Sequence, residues 1–224
     1  MNNLKNIIYI FLFSLVVLSC NKKPLLVEPD FGYDYYPNDS SYYRLYEVQD
    51  ILYNDFQQTI DTVNYQMVEI FEKSFSDLEN RDSKILHRYT KTSNSNWQLK
   101  DVWQSTKTTT RVEQVEENVR TVKLIFPIKV GSNWNGYAFA DLGEETFEIA
   151  SKVTDTIINQ IDINELITVT HYNNTNFIEK QIELEKYGKE IGLVHRYYVN
   201  LNLQKDSGII RSTWIKDFGF NFQF

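Results

Sequence analysis

The sequence is poor in the residues that build compact reactive centres. It has one cysteine, Cys20, and three histidines, His87, His171 and His195, in 224 residues. A single cysteine excludes any disulfide within the chain and any zinc site built from several cysteines. None of the histidines stands at metal-ligand spacing from a pair of carboxylates, so neither a metal nor a cofactor is expected. There is no Gly-x-Ser-x-Gly elbow, no glycine-rich phosphate loop and no Ser-x-x-Lys, which removes the commonest signatures of serine hydrolases and nucleotide enzymes. Cations are in the minority: 23 basic residues stand against 30 acidic ones, a formal charge of −7. Such a chain lacks the basic face that neutralises phosphates, so no nucleic-acid partner is expected. Long apolar runs are missing save one. Ile7–Leu18, broken only by Ser14, is too short for a helix that must cross about 30 Å of hydrocarbon.

What is present begins with that run. A polar start carrying Lys5 precedes it, and the small residue Ser19 follows it, just before Cys20. This is the layout of a secretory signal peptide over residues 1–19. Val17-Leu18-Ser19-Cys20 resembles the bacterial lipobox, with a leucine where small or β-branched residues are commoner. The resemblance implies that the Cys20 thiol is acylated, with chains such as palmitate, and becomes the lipid-bearing first residue of the mature protein. A lone thiol in an exported, disulfide-permissive space is reactive unless it is consumed in this way. In bacterial lipoproteins a residue other than aspartate after the cysteine, here Asn21, implies delivery to the outer membrane. The lack of an acidic cluster beyond it implies the periplasmic face. Residues 20–35, with Pro24 and Pro29, read as a tether reaching at most about 3.5 Å per residue. Residues 36–224 read as a single domain.

From Tyr42 onward, β-favouring runs alternate with polar turn clusters such as Asn80-Arg81-Asp82-Ser83, Glu116-Glu117-Asn118 and Asp206-Ser207-Gly208. Strands are expected at Tyr42–Tyr53, Thr62–Phe75, Lys84–Lys91, Trp97–Lys107, Val119–Phe126, Thr146–Val153, Leu166–Tyr172, Phe177–Tyr187, Leu193–Leu203 and Ile209–Phe218. The clearest alternation sets Leu193, His195, Tyr197, Val199 and Leu201 on one face and Val194, Arg196, Tyr198 and Asn200 on the other. Ile178, Ile182 and Leu184 alternate likewise with Glu179, Gln181, Glu183 and Glu185. The 15 tyrosines and 14 phenylalanines suit half-buried strand positions. The expected fold is all-β, an antiparallel sheet of about ten strands curved into an open barrel or sandwich. Two segments admit two readings. Val112, Val115, Val119 and Val122 also fit a helical stripe over 111–119, and Asp155–Glu165 is a hairpin or an irregular loop. Phe218, Phe220, Phe222 and Phe224 alternate to the last residue and suit a final strand closing the sheet. Tyr36-Pro37 and Phe126-Pro127 each open an aromatic-rich segment, a faint internal repeat.

The stretch Phe126-Pro127-Ile128-Lys129-Val130-Gly131-Ser132-Asn133-Trp134-Asn135-Gly136-Tyr137-Ala138-Phe139 resembles a motif of uncharacterised, β-rich lipoproteins of Bacteroidota, an aromatic-Pro-x-x-x-Gly-x-x-Trp core. At the first repeat the chain departs from that pattern, with Asn38-Asp39-Ser40-Ser41 in place of a glycine-bearing turn and Arg44 where tryptophan is common. The resemblance implies an envelope lipoprotein of all-β fold and no particular activity. The loop around Trp134, Asn135 and Tyr137 is the most site-like, because aromatics beside glycines can rim an apolar or sugar ligand. The alternative is that Trp134 plugs one end of a barrel. Asp61-Thr62-Val63 and Asp155-Thr156-Ile157 resemble the three-residue O-glycosylation signal of that phylum, which makes Thr62 and Thr156 candidate acceptors. No catalytic residue stands out, and Glu116-Glu117 and Glu144-Glu145 read as solvated turn charges. The leading expectation is a non-enzymatic, lipid-anchored binding or scaffolding module. The second is an accessory subunit of an outer-membrane assembly, with a protein partner. The third is an envelope hydrolase, which converging carboxylates or a buried histidine–acid pair would favour.

Overall fold

The computed structural model describes residues 29–93 and 95–224. The signal peptide, Cys20 and most of the tether lie outside the described residues. Phe31–Phe224 forms one compact unit. Its strands are β1 (Tyr42–Asn54), β2 (Thr59–Ser76), β3 (Asp82–Lys91), β4 (Gln98–Lys107), β5 (Arg111–Glu116), β6 (Val119–Ile125), β7 (Asn133–Asn135), β8 (Thr146–Ile158), β9 (Ile161–Thr175), β10 (Glu179–Gly188), β11 (Gly192–Asn202) and β12 (Ser207–Phe220).

All twelve belong to one antiparallel sheet in the order β6-β5-β4-β3-β2-β1-β12-β11-β10-β9-β8-β7. The chain walks outward from β1 to β6 by successive hairpins, starts again at β7, and walks inward until β12 lies beside β1. Tyr36-Pro37 and Phe126-Pro127 stand just ahead of β1 and β7, the first strand of each six-stranded half. Local chemistry makes the hairpins tight. Asn80, Glu117-Asn118, Asn159-Gln160 and Asp206 all adopt positive φ at the turns, a conformation that asparagine and aspartate tolerate better than most residues.

The sheet curls until its two edges meet. Val122 of β6 donates its backbone N–H to the Gly136 carbonyl (2.8 Å), and the Trp134 indole N–H donates to the Val122 carbonyl (2.8 Å). Gly136 is required there, because a Cβ at this position would lie 2.4 Å from the Phe147 ring. These bonds draw the two edge strands together and shield part of each edge from further pairing.

Each of the ten expected strands is present, and two more complete the twelve. The helical reading of 111–119 is replaced by β5, a hairpin turn at Glu117-Asn118 and the start of β6. Val112 is fully buried and pairs with Leu124, so the valine stripe belongs to two paired strands. Asp155–Glu165 is the hairpin joining β8 and β9. The sheet claims the chain as far as Phe220 only. Phe222 and Phe224 lie beyond β12 and pack on Tyr43, Tyr89 and Trp97, with ring centroids 4.8–6.4 Å apart. β12 itself pairs with β1 and β11 in mid-sheet, so the closing strands are β6 and β7.

The compact unit also takes in Phe31–Tyr35, which the sequence pattern leaves in the tether. Tyr33–Tyr35 forms a single 3-10 turn, and Tyr35 and Tyr36 are each 1% exposed. The Tyr36 hydroxyl meets Ser105 Oγ at 2.9 Å and donates to Gln114 Oε1 at 3.2 Å. The Tyr35 hydroxyl donates to Glu165 Oε2 at 3.0 Å. Lys107 Nζ donates to the Tyr33 and Tyr36 carbonyls. These contacts hold the turn as a plug in one end of the barrel, where its rings join Phe71, Leu86, Leu124, Phe147 and Ile167 in the larger apolar core.

Candidate functional site

Beyond the plug the interior becomes ionic, and strand alternation explains how. On β10 the inward residues are Glu183, Glu185 and Tyr187; on the neighbouring β11 they are Arg196 and Tyr198, paired with Glu185 and Glu183 respectively. On β9 a register shift leaves His171 as the extra residue of a bulge opposite Glu183 and Leu184. The bulge turns its ring inward, stacked on Phe147 at 3.9 Å between centroids. Lys123 reaches into the same space from β6.

These groups form one cluster. Lys123 Nζ lies 2.7 Å from Glu185 Oε1 and 3.5 Å from Glu116 Oε1. The Arg196 guanidinium pairs with Glu183 and lies 3.6 Å from Glu185. His171 Nδ1 is 3.5 Å from Glu183, and its Nε2 is 3.2 Å from Glu185. The Tyr187 hydroxyl donates to Glu185 Oε2 at 2.5 Å. Burial alone would lift the Glu185 carboxyl, but Lys123, His171 and Arg196 outweigh it and hold the group well below the usual carboxylate range. Glu183 is depressed in the same way, with Arg196 the main counterweight to burial. For His171, burial pulls the imidazole down while Glu185 and Glu183 pull it up, and the carboxylates prevail. With His171 protonated, three cations (Lys123, Arg196, His171) face three anions (Glu116, Glu183, Glu185), and the cluster is neutral.

A second ionic row crosses four strands. Arg44 of β1, Glu69 of β2, Arg88 of β3 and Asp101 of β4 are successive cross-strand partners. Arg44 Nη2 donates to Glu69 (2.9 Å), and Arg88 Nη1 donates to Asp101 (2.9 Å). Arg44 is 2% exposed, and its guanidinium also lies over the rings of Tyr36 and Phe71. On β12, Arg211 grips Asp50 of β1 with Nε and Nη2, both at 2.7 Å, the bidentate geometry that fixes both side chains.

These residues frame a cavity in the lumen. One chamber of about 320 Å³ takes lining residues from β1–β5, β11 and β12, among them Arg88, Trp103, Arg196, Tyr198 and Arg211. A second of about 480 Å³ shares Tyr65, Met67, Arg88, Trp103 and Arg211 with it, so the two adjoin. The cavity lies away from the plug. On β1 the path from plug to cavity runs from Tyr42 to Asp50, on β4 from Ser105 to Lys100, and on β11 from Gly192 to Tyr198. Arg88 lies 3.8 Å over the Trp103 ring, and the indole N–H reaches Glu117 at 3.4 Å.

His171, Glu183 and Glu185 bring three possible metal-ligand atoms within 4.8 Å of one another. The place a metal ion would take is already served by the Lys123 ammonium and the Arg196 guanidinium, and all three ligand residues are buried. The donor set therefore does not fit a resident cation. The same burial bears on hydrolysis: His171 and Glu185 are 3% and 0% exposed, and both carboxylates are held as anions by fixed cations.

The residues singled out from sequence fall elsewhere. Trp134 and Asn135 sit on β7, where the Trp134 indole ties the seam and its ring packs on Phe147. Asn135 Oδ1 accepts from the backbone N–H groups of Tyr137 and Glu145, and Tyr137 also packs on Phe147. All three are half-buried at the closure and outside the lumen cavity. Thr62 is exposed on β2, and Thr156 is half-buried on β8. The lumen residues themselves were not singled out. Their signal in the sequence is the acid row of β10 facing the Arg196–Tyr198 row of β11, which becomes visible once the two strands are paired.

No protein family and no curated protein matches the chain. Two solved structures are similar to it. One is a protein from Bacteroides fragilis described as exported and as having a YmcC-like fold, at 8% identity, a TM-score of 0.41, and coverage of 82% of this chain and 98% of that one. The other is a protein from Parabacteroides distasonis described as a lipoprotein, at 7% identity, a TM-score of 0.42, and coverage of 86% and 100%.

Proposed function

We propose that this chain is a lipid-anchored lipoprotein of the cell envelope that works as a non-enzymatic binding module, taking its ligand into the open end of the barrel. The observation that carries the binding role is the lumen cavity, whose size lies in the range of small-molecule sites. Its arginines are held in place by carboxylates behind them, as a preorganised site requires. The sealing of His171, Glu183 and Glu185 supports binding over hydrolysis, because a catalytic base must come within hydrogen-bond reach of its substrate. The anchor rests on Cys20 and its lipobox-like context, and we place the protein at the outer membrane, facing the periplasm.

Two measurements test this reading. Cells fed an alkyne fatty acid should label the chain, and a Cys20→Ser variant should be unlabelled and released from the membrane fraction. An unlabelled wild type removes the anchor. For the lumen, the small-molecule fraction of an envelope extract should raise the unfolding temperature of the wild type by mass action and leave a Trp103→Ala variant unmoved. An extract that moves neither protein removes the binding role.

A further inference from the structure

Taking the lumen as the binding site, we propose that its ligand is a neutral polyhydroxylated molecule, the end of a sugar chain. The charge balance of the wall decides the class. The cations lining the two chambers are Arg88, Lys100, Arg196 and Arg211. The anions are Asp50, Glu69, Asp101, Glu116 and Glu117. An acyl chain or other apolar ligand would strip water from these groups and return no hydrogen bonds. An anionic ligand meets more carboxylates than cations. It also has to compete for guanidinium groups that are already engaged, Arg211 by Asp50 at 2.7 Å through two nitrogens and Arg88 by Asp101 at 2.9 Å.

A polyol avoids both costs. Each hydroxyl donates and accepts, so it can take the guanidinium edge that Asp50 leaves free on Arg211 and a carboxylate lone pair beside it without separating the ion pair. The C–H faces of a sugar ring need apolar surface between the polar groups, and Tyr65, Tyr198 and Trp103 supply it from three strands. The ion pairs fix these partners before the ligand arrives, so little side-chain freedom is lost on binding.

The test uses the full chain in a detergent without a sugar headgroup and follows tryptophan emission. The probes are neutral trisaccharides of glucose, mannose, galactose and N-acetylglucosamine, trigalacturonate as the anionic counterpart, and palmitate. A saturable change is expected with at least one neutral trisaccharide. It should be absent in Trp103→Phe and weakened about tenfold in Arg211→Gln, the scale of one lost hydrogen bond to a charged group. Arg211 is 41% exposed at its side chain but its partner Asp50 only 10%, so the unfolding midpoint of this variant is measured alongside to separate a lost contact from a lost fold. A response only to trigalacturonate that the Arg211 variant loses overturns the neutral class, and one only to palmitate overturns the sugar assignment; both keep the lumen as the binding site. No response to any probe overturns both.

Discussion

Replacing Lys123 with methionine should destabilise the barrel more than any exposed charge change. Lys123 and Glu185 are 2.7 Å apart, with side chains 6% and 1% exposed, and they join strands that are not neighbours in the sheet. Removing one partner of a buried pair costs about 3–5 kcal/mol, since the other charge is left without compensation. Arg196 and His171 remain beside Glu185, which places the loss near the lower end, about 3 kcal/mol. For a domain of this size that corresponds to a fall of about 6–12 °C in Tm. Urea unfolding of Lys123→Met, Glu185→Gln and the double variant measures the coupling. The double variant should lose about 1 kcal/mol or more less than the sum of the singles. There is also a pH signature. Glu185 in the wild type has its folded pKa below the unfolded value of about 4.3. Its contribution is therefore present above that pH and lost as the pH falls through the depressed folded value. Without Lys123 the carboxyl takes up a proton sooner, so the gap between variant and wild type should narrow as the pH falls towards about 4. A Lys123→Met loss under about 1 kcal/mol, or strict additivity, refutes the ionic account of the interior.

Two further outcomes follow from the same interior. His171 has a raised folded pKa, so its contribution is complete below about pH 6.5 and is lost as the pH rises through the folded value. Urea midpoints of the wild type should fall between pH 6 and pH 8 relative to those of His171→Asn, and parallel profiles contradict this. Gly136→Ala puts a Cβ 2.4 Å from the Phe147 ring and should cost about 1–3 kcal/mol by overpacking. In a Phe147→Ala background the same change should cost almost nothing, and an unchanged cost in calorimetry shows that the clash is not the cause.

Most strands were legible because each is long and flanked by residues that turn the chain. β5 was not, because six residues are too few to separate a period of 2 from one of 3.6. Val112 and Val115, three apart, fit both until Glu117 and Asn118 are seen to reverse the chain. β7 has three residues and exists because β8 and the Trp134 hydrogen bond hold it. The candidate site was hidden for a different reason. Glu183 and Glu185 alternate with Leu184, and Arg196 and Tyr198 with Tyr197 and Val199, so the direction of each face depends on what the neighbouring strand offers. A row of acids turns inward here because arginine, lysine and histidine from three other strands meet it. No single strand carries that information.

The cross-strand matching of interior charges also fixes alignment. A one-residue slip of β10 against β9 and β11 would exchange Glu183 and Glu185 for Ile182 and Leu184 on the inner face. In a sheet with a purely oily interior, such an error costs only packing. Here it would leave Arg196 and His171 without these counter-ions and Lys123 with Glu116 alone, and push two acids outward beside Thr168 and Tyr197. The ions thus act as keys cut for one lock, and a misaligned hairpin loses charge pairing as well as side-chain fit.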